Sequence, residues 1–172
     1  MAFKEKWDIV DEQGRPSGRT MLRGDNSLRP GEYHLVVHIW VVSDTGEFLI
    51  QKRSADKKLM PGEWAATGGS AFSGESSLSA AKRELAEELG IKARESELRF
   101  IKRIKRRNSL VDVWFTMCDT PAENLTLQKG EVALARWVDT KTFSEMVEKG
   151  KFHNYGKDYF TLILDTAREM TK

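Results

Sequence analysis

One stretch of the chain, residues 69–91, constrains the fold more than any other. Its second half, from Ser76 to Leu89, is rich in Ala, Leu, Glu and Lys, which favour helices. Glu84 lies three residues before Glu87 and four before Glu88, so the three carboxylates share one side of the predicted helix. The helix is therefore amphipathic, and its predicted apolar stripe comprises Leu78, Ala81, Leu85 and Leu89.

The acidic side of this helix has two interpretations. Glu-rich faces are common on exposed helices, where water solvates the charges. Alternatively, oxygen ligands at this density suit Mg²⁺ or Mn²⁺, which usually keep some waters and share their coordination with substrate phosphates. The three glutamates alone do not decide between a solvated face and a metal site.

The spacing of the whole stretch adds a family resemblance. Gly69 is followed after five residues by Glu75, and after seven more by Arg83-Glu84-Leu85, then Glu87-Glu88 and Gly90-Ile91. This pattern resembles the signature box of the Nudix hydrolases at every fixed position. The resemblance implies hydrolysis of a diphosphate joined to another group, with Mg (or Mn) as cofactor. It also implies an α/β fold, a Nudix-type sandwich with a mixed β-sheet between helices.

The resemblance assigns roles to residues of the box. Glu84 and Glu88 would be the principal metal ligands, and Glu87 a further ligand or an aid to the catalytic base. Gly69 would let its backbone approach the metal. Arg83 would hold one of the box carboxylates in place.

Other candidate residues carry weaker signals. The general base of such enzymes often lies outside the box, and Glu131, in a predicted loop before a late strand, is the candidate here; an ordinary loop glutamate is the alternative. Arg53 and Lys52 would contact phosphate, unless both are simply solvated at a strand end. Glu75 is either structural or a ligand.

A second resemblance points to one subgroup. Residues 31–69, with the leader at Trp7, look like the Nudix proteins related to isopentenyl-diphosphate isomerase. That isomerase needs a cysteine and a metal-binding histidine, whose places are taken here by Gly68 and Ser70. We therefore expect a hydrolase. Isomerase-like activity and a Nudix module that binds ligand without catalysis are the alternatives.

Several aromatic and basic residues have mainly structural interpretations. His34 and His38 lie four apart on a predicted strand and so face the same side, either as a metal pair or as satisfied strand histidines. Trp40 and Trp64 are expected in the core. The basic run at 102–107 is expected to be a solvated strand edge.

The chain is expected to form one domain over residues 1–172. The expected parts are an N-terminal strand and loop extension (1–30), the box (69–91) and C-terminal helices (140–172). Strands are predicted at 4–11, within 19–32 and within 93–110, and at 33–43, 47–54, 111–118 and 132–139. Helices are predicted at 76–89, at 142–150 with a capping box from Thr142 to Glu145, and at 158–170.

Composition narrows the range of partners. The net charge of +2 provides no global field for nucleic acid, and a single cysteine excludes a disulfide within the chain. The sequence contains neither an apolar signal-peptide run nor a stretch long enough to span a membrane. We expect a cytoplasmic protein that binds a small-molecule diphosphate, with no nucleic acid polymer and no membrane partner. A homodimer is compatible with the resemblance.

Overall fold

The N-terminal region forms a two-stranded antiparallel sheet. The computed structural model describes residues 4–172, so residues 1–3 of the predicted extension lie outside the described residues. Strands β1 (Lys6–Val10) and β2 (Pro16–Leu22) pair as a hairpin. The second strand begins earlier than the sequence predicts, because Pro16 already pairs with Val10.

A seven-stranded mixed sheet forms the centre of the fold. Its central strand, β3, pairs in parallel with β8 and antiparallel with β4 and β6, which confirms the predicted mixed sheet. The strands are β3 (His34–Val42), β4 (Phe48–Arg53), β5 (Trp64–Ala65), β6 (Thr67–Ser70), β7 (Arg99–Lys105), β8 (Ser109–Met117) and β9 (Val132–Val138).

Helices cover both faces of this sheet. They are α1 (Ser77–Leu89), α2 (Thr140–Glu148) and α3 (Lys157–Met170). Two consecutive residues of β3 point to opposite faces of the sheet. Ile39 packs in the hydrophobic cluster that contains residues of α1, whereas Trp40 packs in the cluster that contains residues of α2 and α3. Among residues 4–172, every helix is too short or too polar to cross a lipid bilayer.

The strand predicted within 93–110 is β7, which occupies only part of that segment. A short 3₁₀ turn at Glu95–Glu97 precedes β7, and β8 already begins at Ser109. The pairing of β7 with β8 shifts between Phe100 and Lys102, where an irregularity interrupts the ladder. That shift explains why the sequence does not alternate strictly between apolar and polar residues here.

The predicted capping box at the start of α2 is wrong. Asp139 is the N-cap, because its carboxylate accepts a hydrogen bond from the Thr142 backbone N–H at 2.7 Å. The helix therefore begins at Thr140, two residues earlier than predicted.

Candidate active site

Helix α1 presents its acidic residues to a cavity of about 340 Å³. The Ser76 hydroxyl caps the helix by accepting from the Ser79 N–H, and Gly90 ends it with φ of 71°. Leu85 and Leu89 are buried against the sheet, so the glutamates on the adjoining side lie along β6. The cavity is enclosed by α1, the ends of β3, β4 and β6, the N-terminal hairpin and the loops at 57–60 and 128–131.

Glu88 is the most deeply buried carboxylate of the cavity, with 4% of its surface exposed. Its Oε2 accepts hydrogen bonds from Gln51 Nε2 at 2.9 Å and from the Gly68 N–H at 3.1 Å. Burial, and then the charge of Glu84, raise the pKa of Glu88 to about 8, although these hydrogen bonds favour the ionised form. The site therefore holds a carboxylate in surroundings that disfavour its charge.

Arg83 links the glutamates of the box. Its Nη1 donates to Glu84 Oε1 at 2.8 Å and to Glu87 Oε2 at 3.2 Å. Its Nε and Nη2 donate to the two oxygens of Glu75, at 2.7 and 3.0 Å, and Nη2 also reaches the Ser70 carbonyl oxygen. Glu75 thus has a structural contact, because it fixes the arginine that holds the other carboxylates.

Arg83 only partly offsets the effect of burial on the pKa of Glu84. Burial raises the pKa of Glu84, while Arg83 beside it acts in the opposite direction. The largely buried Glu84 therefore lies close enough for its charge to raise the pKa of the buried Glu88. A cation entering between them would relieve this cost.

The donor set fits a hard divalent cation. Glu84, Glu87 and Glu88 all line the cavity and offer only oxygen atoms. A Cβ at Gly69 would lie 2.4 Å from Glu84 Oε1, so any larger residue would displace this carboxylate from its present position. Within residues 4–172, no three acidic, histidine or cysteine side chains are already arranged around one point. Glu84 and Glu87 turn towards Arg83, and a cation would compete with its guanidinium.

Of the three candidates outside the box, the structure places two at the cavity. Glu131 and Arg53 both line the cavity, and Glu131 forms an ion pair with Lys57. The Nε of Arg53 donates to the Leu59 carbonyl oxygen at 3.0 Å. Lys52 does not line the cavity, because neighbouring residues of β4 point to opposite faces of the sheet. Arg53 is therefore positioned to contact a phosphate in the cavity, whereas the predicted phosphate contact of Lys52 is not supported by its position.

Several residues in or beside the cavity were not predicted, among them Lys57 and Tyr155, which line it, and Gln51, which does not line it but donates a hydrogen bond to Glu88. Gln51 is a buried amide in the otherwise apolar start of β4, and this polar break was a usable signal. Lys57 comes from a loop without a readable pattern. Tyr155 precedes α3, and its hydroxyl accepts from the Ala66 N–H at 3.1 Å; burial raises its pKa to about 12.

The two histidines of β3 both line the cavity but differ in their contacts. His38 is a satisfied strand histidine, because its Nδ1 lies 2.7 Å from the Tyr159 hydroxyl. Burial lowers the pKa of His38 to about 3. His34 instead stacks on Trp7, and its Nδ1 has no hydrogen-bond partner among the described residues.

Gly68 leaves no space for a catalytic thiol. Its φ is 155°, and a Cβ there would lie 2.0 Å from the Val37 carbonyl oxygen. Cys118, the single cysteine of the sequence, is hydrogen-bonded to the Thr120 hydroxyl and does not line the cavity.

With this geometry in place, comparison with known proteins assigns the family. Residues 32–157 match the family described as the NUDIX domain. The chain belongs to the Nudix family. Over 152 residues it is 40% identical to an uncharacterized Nudix hydrolase of Listeria monocytogenes, covering 88% of this chain and 89% of that protein. The family membership makes the chain an enzyme of the Nudix hydrolase class, as its box predicts.

Two further similarities concern the fold and the subgroup. The crystal structure of DR0079 from Deinococcus radiodurans superimposes with a TM-score of 0.72, covering 98% of this chain and 100% of that one. At 21% sequence identity, this match supports the α/β fold alone. An isopentenyl-diphosphate Delta-isomerase of Streptomyces griseus is 32% identical over 85 residues, 49% of this chain and 43% of that protein. The predicted resemblance to isomerase-like Nudix proteins is thus confirmed.

Proposed function

We propose that this Nudix enzyme hydrolyses a diphosphate linkage in a nucleoside diphosphate derivative, using Mg²⁺ or Mn²⁺ held by the glutamates of α1. The observation that carries the proposal is the pair formed by the buried Glu88 and the largely buried Glu84 on one wall of the cavity. Two such charges are costly without a cation between them. A diphosphate brings further negative charge, which the same cation would neutralise.

The chain's residues take distinct roles in this proposal. Glu84 and Glu88 are the principal ligands, and Glu87 is a further ligand or supports the base. Gly69 keeps the space beside Glu84 open. Arg83 positions the carboxylates through its hydrogen bonds. The bound cation would supply positive charge at the phosphates and lower the pKa of a coordinated water.

The opposite wall supplies the groups for proton transfer and phosphate binding. Glu131 is the proposed general base, and its ion pair with Lys57 holds its carboxylate at the cavity. Arg53 keeps its terminal guanidinium nitrogens free of hydrogen bonds within the described residues, so they are available to a phosphate oxygen. These groups would hold the diphosphate between α1 and the loop that begins after β4.

The isomerase alternative is disfavoured by Gly68. Glycine has no thiol, and a cysteine at this position would clash with the Val37 carbonyl oxygen. The residues that line the cavity include no cysteine for that chemistry. The non-catalytic alternative is disfavoured by the complete set of box glutamates.

The test is product identification in isotopically labelled water. The purified protein is incubated with Mg²⁺ and nucleoside diphosphate sugars, dinucleotide cofactors, nucleoside triphosphates and prenyl diphosphates in H₂¹⁸O. We expect metal-dependent release of a phosphorylated product that carries one ¹⁸O. Isomerisation of isopentenyl diphosphate, without ¹⁸O uptake from any compound, would overturn the proposal.

A further inference from the structure

The N-terminal hairpin is fixed against the loop that opens the box helix. Asp8 of β1 accepts hydrogen bonds from the Ser73 hydroxyl at 2.7 Å and from the Gly74 N–H at 2.8 Å. The Ser73 N–H donates to the Lys6 carbonyl oxygen at 2.8 Å. At its other end, the hairpin exchanges two backbone hydrogen bonds between Val10 and Tyr33, just before β3. The hairpin is therefore held at a defined position beside the proposed metal ligands.

Four side chains of this region continue the cavity wall beyond the carboxylates. Trp7 and His34 stack with their ring centroids 4.6 Å apart and their planes 15° from parallel. The Trp7 indole N–H donates to Glu5 Oε2 at 3.3 Å, and Arg23 Nη1 donates to Glu5 Oε1 at 2.9 Å. All four residues line the cavity. The hairpin thus contributes a connected polar wall and not only apolar packing.

His34 offers one hydrogen-bonding nitrogen to the cavity. Its Nδ1 is buried without a partner, whereas Nε2 has no protein partner within the described residues and is not buried, so Nε2 is the accessible nitrogen. Burial lowers the pKa of His34, which favours the neutral ring. An unpaired buried N–H is rarer than an unpaired acceptor, so the single ring proton belongs on Nε2. The stack with Trp7 fixes the direction of this donor.

The Glu5–Arg23 pair keeps unused hydrogen-bonding capacity. Each carboxylate oxygen has two lone pairs, and each oxygen of Glu5 accepts one side-chain hydrogen bond. Arg23 uses one of its five side-chain N–H groups in this pair. Donors and acceptors therefore stand side by side, which is the arrangement that a hydroxyl group matches, since a hydroxyl both donates and accepts.

We propose that this wall, formed by Trp7, Glu5 and Arg23 of the hairpin region and by His34 of β3, determines specificity by receiving a hydroxyl-bearing, sugar-like group joined to the diphosphate. The inference rests on the proposed hydrolysis at the box glutamates, and it narrows the substrate class. A prenyl chain in the same position would bury the Glu5 carboxylate and the Arg23 guanidinium without new partners, at the cost of their hydration.

Paired compounds test this inference. ADP-ribose and UDP-glucose are each compared with the methyl diphosphate ester of the same nucleoside, which lacks the sugar-like group. The measured quantity is the ratio of kcat/KM values within each pair, because a loss of folded enzyme cancels in the ratio. We expect the wild type to prefer at least one sugar-linked compound. His34→Leu should lower that ratio several-fold and Arg23→Gln about tenfold, as expected for hydrogen bonds to neutral and charged groups.

Two variants serve as controls. His34→Gln retains an N–H donor and should recover most of the ratio. Arg15→Gln removes another hairpin arginine that pairs with a carboxylate, Asp11, outside the cavity, and should leave the ratio unchanged. Equal loss for both members of each pair would assign the wall a structural role and overturn the inference.

A binding measurement separates this inference from the proposed hydrolysis. Calorimetry with the same compounds in the absence of divalent cations gives dissociation constants without turnover. If the wild type cleaves none of the compounds, the proposed function fails for this class, but the binding ratios still decide the inference. No preference of the wild type for either sugar-linked compound, or no change of preference in His34→Leu and Arg23→Gln, would overturn it.

Discussion

Replacement of Gly68 by alanine tests how tightly the backbone of β6 is built against β3. A Cβ at this position would lie 2.0 Å from the Val37 carbonyl oxygen and 3.1 Å from His38 Cα. The first contact is roughly 1 Å or more inside normal van der Waals distance. Both partners are backbone atoms of a central strand, so neither can rotate away as a flexible side chain would.

The expected cost combines two effects. Overpacking costs about 1–3 kcal/mol, and an unfavourable backbone conformation costs about 1–3 kcal/mol. We therefore expect Gly68→Ala to lower the free energy of unfolding by about 2–6 kcal/mol. For a chain of this size that loss corresponds to a fall in Tm of about 5–20 °C. The shift would also move the Gly68 N–H away from Glu88 Oε2.

Urea unfolding followed by tryptophan fluorescence measures this loss. Gly150→Ala is the matched control, because Gly150 also has positive φ (65°) but a Cβ there would meet nothing within 4 Å. We expect the control to lose only about 1–2 kcal/mol for the left-handed conformation. If Gly68→Ala loses no more than Gly150→Ala, the steric argument that excludes a thiol from this position is wrong.

Three further variants test other parts of the structure. Arg103→Met leaves the buried Asp112 (1% exposed) without the arginine that donates to both its oxygens. Urea unfolding should show a fall of about 3 kcal/mol in the free energy of unfolding, the lower end for a buried pair because Arg103 is 32% exposed, and a fall below about 1 kcal/mol would contradict this. Ser76→Ala removes the N-cap of α1 and should cost about 1 kcal/mol by thermal unfolding, whereas an unchanged Tm would deny the cap its role. Glu131→Gln should lower kcat at least about 100-fold if Glu131 is the general base, and a kcat near that of the wild type would remove it from that role.

The elements set by local sequence were predictable. Helix α1 carries its cap, its apolar stripe and its C-terminal glycine within one continuous stretch, so its bounds agree with the structure to within a residue. The hairpin of β3 and β4 is likewise marked by a turn at residues 44–46 and by β-branched residues on both sides. These signals depend on neighbours in the chain and need no knowledge of tertiary contacts.

The contacts across the fold were not predictable in the same way. Arg53 and Lys52 are adjacent in sequence, and only the pairing of β4 in the sheet determines which one faces the cavity. The stack of Trp7 on His34 depends on how the N-terminal hairpin docks beside β3. Asp139 caps α2 although Thr142 offers a similar signal, because the backbone leaves β9 directly into the helix.

The central claim is that the carboxylates of α1, with the buried Glu88 among them, hold the cation that supports hydrolysis. The most direct measurement is the rate of diphosphate cleavage as a function of Mg²⁺ concentration for the wild type, Glu88→Gln and the control Glu97→Gln, which changes an exposed glutamate outside the cavity. We predict that Glu97→Gln keeps the wild-type dependence and that Glu88→Gln loses turnover at every Mg²⁺ concentration while remaining folded. Wild-type turnover in Glu88→Gln, with an unchanged dependence on Mg²⁺, would contradict the account.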